Sequence, residues 1–249
     1  MSAYGVINRP QRTSYLPTTL WDHDSPRVEP DLGTPSFVTI HHIDRAAVER
    51  IQTGLFNYLH CIFANEVDKG LTYPQEDISD SAAFGAYFFG GDVLVAIAGK
   101  GDPPVIASDE RGVREIEQNL DAARNGRTWE ECVAGFYYVK PNYPGRSSHI
   151  CNAGFIVPPS QRGSGYGHIL AKSYLHYAPA LGYKASVFNL VYNNNTASVK
   201  LWEALNFTKA GLIPKAGRMR RKDGEGEEYV DAIIFYKSFE ETGPNADDQ

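Results

Sequence analysis

The residues with the clearest chemical potential form a run from Phe155 to His168, in which Gly163, Gly165 and Gly167 alternate directly ahead of a helix-like stretch carrying Leu170, Tyr174 and Tyr177. Glycines in alternation let successive main-chain N–H groups converge, and a helix N-terminus adds unpaired donors and partial positive charge. Such a turn can cradle a diphosphate. It is not a P-loop, because no Gly-Lys-Ser/Thr follows, and it lacks the spacing of the dinucleotide fingerprint. Taken alone, the spacing also fits a plain tight connection.

A second constellation is made of amides. Asn152 lies in an apolar strand-like run before the glycine turn, Asn189 lies in a second such run, and Asn193, Asn194 and Asn195 open a helix-like stretch, Thr196 to Leu205. An amide side chain donates to a carboxylate without carrying charge, which suits a zwitterionic ligand in a partly dry cleft. Asn152 in a strand bulge and Asn195 as an ordinary helix N-cap are the structural alternatives.

Other signals point away from chemistry. His149 and Cys151 are two apart on a strand, but no orienting carboxylate accompanies them. His41, His42, His60, His168 and His176 show no metal-ligand spacing with carboxylates, so no metal is expected. The basic run Arg218, Arg220, Arg221 and Lys222 precedes Asp223-Gly224-Glu225-Gly226 and reads as a solvated hairpin tip; contact with a phosphate or an acidic partner is the other reading.

The elements that must hold these residues follow from periodicity. Val48, Ile51, Leu55, Leu59, Ile62 and Phe63 recur at helical steps, closed by Gly70 and Pro74. A shorter helical stretch, Ser81 to Phe89, stops at Gly90-Gly91. Strands are predicted at Phe37 to Ile40, Val93 to Ala98, Cys132 to Val139, His149 to Val157, Ala185 to Val191, Ala210 to Ile213 and Tyr229 to Tyr236. Strands alternating with helices place the chain in the α/β class with a mixed sheet. Residues 1–35 read as an irregular arm, 36–239 as a single domain, about 99–129 as a polar insertion with a possible helix from Glu115 to Ala123, and 240–249 as a disordered acidic tail.

With 249 residues and 42% hydrophobic content the chain can bury one sizeable core. A formal charge of −6 supplies no general attraction to nucleic acid or an anionic membrane, so neither is expected as a partner. No apolar run approaches the roughly 20 residues of a membrane span, and Met1 to Pro10 lacks the order of a secretory signal. The expected location is cytoplasmic, or mitochondrial. The three cysteines, Cys61, Cys132 and Cys151, argue for neither a disulfide framework nor a thiolate zinc site.

The pattern Arg162-x-x-Gly165-x-Gly167, followed by the asparagine-initiated helix from Asn195 to Phe207, resembles the two signatures of the GNAT superfamily of N-acetyltransferases. The resemblance implies a GNAT fold whose sheet splays open between the strands around Asn152 and Asn189. It implies acetyl-CoA as acyl donor, held by Phe155, Val157, Arg162, Gly163, Ser164, Gly165, Tyr166, Gly167, His168 and Asn195. At finer grain, Phe136 to Tyr143, Cys151 to Phe155, Tyr177 to Lys184, Phe188 to Val191 and Gly211 to Gly217 are similar to the fungal proline-analogue acetyltransferases, which detoxify L-azetidine-2-carboxylate. That likeness implies a homodimer and a small amino or imino acid substrate. It assigns the substrate carboxylate to Asn152, Asn189 and Leu190, and catalytic roles to Asn152 and Asn195.

Many GNAT enzymes carry a glutamate base on the fourth strand and a tyrosine acid on a helix. The corresponding residues are Asn152 and Trp202, so ordered water is the expected proton acceptor. A peptide or protein amine as acceptor, and a non-catalytic acyl-CoA-binding regulator, are the alternatives.

Overall fold

The structure is a computed structural model that describes residues 14–23, 36–50, 54–104 and 113–240. Most of the arm, Ile51 and the tail beyond Glu240 therefore lie outside the described residues.

The elements run β1 (Thr18–Asp22), β2 (Phe37–Ile43), α1 (Arg45–Arg50), α2 (Leu55–Asp68), α3 (Ser81–Phe88), β3 (Asp92–Ala98), β4 (Arg114–Ile116), α4 (Leu120–Arg124), α5 (Trp129–Cys132), β5 (Val133–Pro141), β6 (Ile150–Ile156), α6 (Tyr166–Ala180), β7 (Ala185–Tyr192), α7 (Thr196–Ala204), β8 (Thr208–Arg220) and β9 (Glu227–Ser238). They divide into two compact units: one takes in Lys140–Asn152 and the described residues from Leu175 onward, the other Ala153–Tyr174 and the described residues before Lys140.

The larger unit carries antiparallel strands in the order β4-β1-β2-β3-β5. Three expectations are corrected here. The arm is not irregular throughout, since Thr18–Asp22 forms β1 against β2. Within the 99–129 segment, Arg114–Ile116 is a strand paired to β1, and the helix begins only at Leu120, where Asn119 caps it through Ala122 N–H at 2.8 Å. The long helix expected from Val48 to Phe63 is two helices, because Gly54 at φ 81° restarts the chain ahead of Leu55. Phe63, Phe84, Phe88 and Phe136 are wholly buried where α2 and α3 cover β3 and β5. Each such side chain contributes about 1.5–3 kcal/mol by leaving water.

Helix α6 docks on β5 through close backbone approach: a Cβ on Gly135 would meet Leu170 Cδ1 at 2.6 Å. Tyr137 Oη and Ser173 Oγ, both buried, complete the dock at 2.9 Å. This docking fixes the N-terminal end of α6, where the glycine turn lies.

In the smaller unit, β7 pairs with β9 antiparallel, β9 with β8, and β6 with β7 in parallel, which makes the sheet mixed as expected. The β6–β7 pairing is confined to Ile150↔Ala185 and Cys151↔Ser186. The β7–β9 register slips between Phe188 and Val191, so Asn189 and Leu190 occupy a β-bulge. Such bulges take residues out of the ladder and re-aim their side chains. Phe188, Trp202 and Phe207 stack together beneath α7, with Phe188 and Trp202 ring centroids 4.4 Å apart.

Candidate active site

Four side chains of the smaller unit, Asn142, Tyr143, Asn152 and Asn189, join in one hydrogen-bonded cluster. Asn142 Oδ1 accepts from Asn152 Nδ2 at 2.7 Å and from Asn189 Nδ2 at 2.9 Å. Asn189 Oδ1 accepts from Asn142 Nδ2 at 3.3 Å and from the Tyr143 hydroxyl at 3.2 Å. The bulge in β7 brings Asn189 into this cluster, and the main-chain bond from Asn142 N–H to Ile150 carbonyl at 2.8 Å brings Asn142 beside Asn152. Asn152 and Asn189, singled out in the sequence, are thus brought together. Leu190 follows Asn189 in the bulge with its side chain 39% exposed.

The bonding leaves a specific remainder. Each amide oxygen has two lone pairs and each amide nitrogen two protons. Both lone pairs of Asn142 Oδ1 and of Asn189 Oδ1 are occupied. One N–H on each of the three asparagines is left over, together with the buried Asn152 Oδ1, which has no hydrogen-bond partner among the described residues. Three donors and one acceptor suit a carboxylate beside an amine.

Asn195 does what the structural alternative required: its Oδ1 accepts from Ser198 N–H at 3.3 Å as the N-cap of α7. Its Nδ2 is not used by that bond. Trp202, at the position where a tyrosine acid is common, is 5% exposed and packed between Phe188 and Phe207. His149 binds the Arg146 carbonyl through Nδ1 at 3.1 Å, and Cys151 is buried. Of the cations at the β8–β9 tip, Arg221 pairs with Asp223 and Arg218 with Glu227, while Lys222 Nζ donates to the Asn194 carbonyl at 2.9 Å.

The larger unit holds the glycine turn. Gly163 and Gly165 have φ of 83° and 87°, conformations that an L side chain strains, whereas Gly167 is helical with open space where a Cβ would stand. The N–H groups from Gly163 to Gly167 have no main-chain acceptor among the described residues, and the first bond of the turn runs from His168 N–H to Gly165 carbonyl at 3.0 Å. Consecutive free amides at the head of a 15-residue helix form an anion seat. The turn therefore fits the diphosphate of coenzyme A.

Side chains of this segment behave differently from the expectation. Arg162 is turned back, donating through Nε to the Val157 carbonyl at 3.1 Å and through Nη2 to Glu66 Oε2 at 2.7 Å. Tyr166 is 3% exposed and stacked on His23, which leaves its main chain as the part a ligand can reach. Phe155 stacks on Tyr137, and its carbonyl accepts from the Tyr73 hydroxyl at 3.2 Å. One lone pair each of the Phe155 and Val157 carbonyls is thus already committed.

Two supports of the turn were not singled out in the sequence. Glu66, 7% exposed, takes the Arg162 guanidinium and the Thr72 hydroxyl; burial pushes its carboxyl up, but these bonds and the charges of Arg162 and Lys69 carry it below the usual range. The signal that marks it is a carboxylate on the buried stripe of α2. His23, at the end of β1, donates through Nε2 to the Ser164 carbonyl at 2.6 Å. A cavity of about 480 Å³ is lined by His23 together with Trp21, Arg114, Gly165, His168 and Lys172.

The model of the acetyltransferase (GNAT) family matches residues 101–207. N-acetyltransferase aca1 of Schizosaccharomyces pombe is 38% identical over 197 residues, covering 79% of this chain and 86% of that protein. The chain belongs to the GNAT acetyltransferase family. This acetyltransferase is also 29% identical to protein SPT10 of Saccharomyces cerevisiae over 75% of its own length, a match that spans only 31% of SPT10. Its fold is shared with a GCN5-related N-acetyltransferase from Kribbella flavida, at a TM-score of 0.57 and 21% identity over 81% of this chain and 97% of the other. It is shared equally with a phosphinothricin acetyltransferase from Sinorhizobium meliloti solved in complex with AcCoA, at a TM-score of 0.56 and 18% identity over 84% and 94%. The acetyltransferase is accordingly an acetyl-CoA-dependent N-acetyltransferase. No helix among its described residues is long and apolar enough to cross a membrane.

Proposed function

We propose that this acetyltransferase acetylates the amine of a small α-amino or imino acid, with L-azetidine-2-carboxylate and other proline analogues as the substrate class, by direct transfer within a ternary complex. The observation that carries the reading is the remainder of the asparagine cluster. Its free N–H groups match a carboxylate, which only accepts, and Asn152 Oδ1 matches an amine N–H. The amides themselves carry no charge, so they can hold either half of a zwitterion by hydrogen bonds alone.

In this reading acetyl-CoA supplies the activated acetyl thioester. The main-chain donors from Gly163 to Gly167 hold its diphosphate, and Gly163 and Gly165 give the turn the shape that exposes them. Asn152 and Asn189 grip the acceptor carboxylate with the Leu190 main chain beside them, and Asn142 fixes both amides by offering one shared acceptor. The Nδ2 group of Asn195, left over from capping α7, donates to the charge that develops in the transition state. A preorganised donor of that kind is worth about 2.7–4 kcal/mol. Likeness to the fungal proline-analogue enzymes also supports a homodimer, which sedimentation velocity reads directly.

The test is a thiol-release screen with acetyl-CoA against amino acids, azetidine-2-carboxylate, cis-4-hydroxyproline and a panel of peptides. Turnover of imino acids is the expected result. Robust turnover of peptides with none of amino or imino acids would overturn the substrate class, and acetyl-CoA binding without thiol release for any amine would make the protein a regulator.

A further inference from the structure

The reaction requires a neutral amine, and an amine with a pKa near 10 holds its proton at pH 7 by about 4–5 kcal/mol. Asn152 has no group that takes up a proton at this pH. Within the cluster Tyr143 is the titratable member, and its hydroxyl already donates to Asn189 Oδ1.

Lys140 lies on β5, two residues before Asn142, which extends the strand by one residue through its N–H bond to the Ile150 carbonyl, and side chains two apart along a strand share a face. The main-chain bond from Asn142 N–H to Ile150 carbonyl sets the antiparallel register of this stretch. Stepping two residues back along β5 and two forward along β6 puts Lys140 directly across from Asn152. The bond between Asn152 and Asn142 side chains shows that this is the face the cluster occupies.

We propose that Lys140 is the catalytic base of this acetyltransferase, accepting the proton of the substrate ammonium beside Asn152. The inference rests on the asparagine cluster as the seat of the acceptor amine. Burial brings Lys140 down to about 8. A workable fraction of the lysine is therefore unprotonated at neutral pH. The substrate itself helps: its carboxylate, held by the asparagine donors, stabilises the lysine once protonated.

The step balances. An N–H bond of the substrate ammonium breaks and its proton forms a new N–H bond on Lys140 Nζ, leaving a neutral amine. The amine nitrogen forms the C–N bond as the thioester C–S bond breaks, the thiolate carries off the second nitrogen proton as coenzyme A thiol, and Lys140 returns its proton to solvent.

The experiment compares wild type, Lys140→Gln and Lys140→Arg, folded by circular dichroism, on whichever amine wild type turns over. Arginine keeps the charge but does not deprotonate. Both variants are expected to lose about 10²-fold or more in kcat at pH 7, with the acetyl-CoA KM unchanged. Their rates should climb with pH without the plateau that wild type reaches above pH 8. Wild-type kcat in Lys140→Arg, or a wild-type pH profile in Lys140→Gln, overturns the proposal. If either variant misfolds, ¹³C-lysine NMR of wild type decides instead: a Lys140 resonance titrating near 8 supports the base, and one still protonated at pH 10 overturns it. Should wild type acetylate peptides only, the amino acid reading fails while the same pH comparison, run on the peptide, still tests Lys140.

Discussion

The side-chain amides of Asn142 and Asn189 face each other, each donating to the other's oxygen, at 3.3 and 2.9 Å. A mutual amide pair of this kind fixes both planes and rules out a flipped orientation for either, because a flip would set oxygen against oxygen. The pair holds Asn189 in the bulge of β7 and gives Asn152 its only side-chain partner among the described residues. Removing one hydrogen bond between neutral groups costs about 0.5–1.5 kcal/mol, and Asn142→Ala removes three. The expected outcome is a rise of at least tenfold in the KM of the amino acid substrate, with the KM of acetyl-CoA unchanged. Asn142→Asp should be worse for the same parameter, since it sets a negative charge beside the bound carboxylate. Steady-state kinetics with each substrate varied in turn reads both; an unaltered amino acid KM in both variants would remove the cluster from substrate binding.

Substitution separates the cap that Asn195 forms from the catalytic role proposed for it. Serine keeps an acceptor for Ser198 N–H but lacks the Nδ2 donor, and alanine lacks both. If the donor acts on the reacting centre, Asn195→Ser folds with wild-type stability yet loses about 10²-fold or more in kcat. Asn195→Ala should show the same kinetic loss and, in addition, about 1 kcal/mol of lost stability from the missing cap. Full turnover in Asn195→Ser would reduce Asn195 to a cap.

Much of this arrangement can be read from the residues in order. The three glycines announce the turn, and the two apolar runs carrying Asn152 and Asn189 announce the strands, because those signals are local in the chain. What escapes such a reading is partnership. Nothing in the spacing marks Asn142 as the shared acceptor, since the register that aligns it with Asn152 depends on where β5 ends and β6 begins. The same holds for β1 and β4, short strands with alternating polar residues whose pairing joins Thr19 to Glu115 across a long stretch of chain. The periodicity of Val48 to Phe63 is helical throughout and reveals no break, yet Gly54 divides it. Glu66 is the instructive case: its place on the apolar stripe of α2 was visible, but the reason, a guanidinium from beyond β6, was not.

The Glu66–Arg162 contact predicts a separation of the two substrates. With Glu66→Ala, Arg162 loses its anchor and the turn that follows loses a restraint, so the KM of acetyl-CoA should rise severalfold while the amino acid KM holds. Glu66→Gln keeps a partner for Thr72 and for the guanidinium and should fall between. A variant series in which acetyl-CoA affinity by calorimetry does not move would show that the turn keeps its shape without this contact.

Acid should weaken the larger unit through His41. It is buried and brought down to about 3 by desolvation, while both ring nitrogens are satisfied in the neutral form by Thr18 and Thr39 hydroxyls at 3.2 and 2.9 Å. A histidine whose folded pKa lies below its unfolded value of about 6.5 binds more protons when unfolded, so stability is full above 6.5 and falls as the pH drops towards 3. At pH 5 the loss is on the order of 2 kcal/mol from this residue alone. Thermal unfolding followed from pH 7 to pH 4 should show a steep decline that His41→Gln, which does not titrate, makes shallower. Parallel curves for the two proteins would place the acid sensitivity elsewhere.

Gly167 offers the sharpest test of the turn, because its backbone does not require glycine. It lies in the first turn of α6 and nothing stands near the position of a Cβ, so Gly167→Ala should fold at least as stably as wild type. Gly165 at φ 87° is the contrast: alanine there strains the chain by about 1–2 kcal/mol and should lower the melting temperature. If the free amides seat a diphosphate, the methyl of Gly167→Ala occupies the space the ligand needs. Calorimetry should then find the affinity for coenzyme A reduced at least tenfold in a protein that is otherwise intact. Loss of binding in Gly165→Ala alone would trace to the distorted turn, whereas loss in Gly167→Ala has no such origin, and undiminished binding there would mean that coenzyme A sits away from these amides.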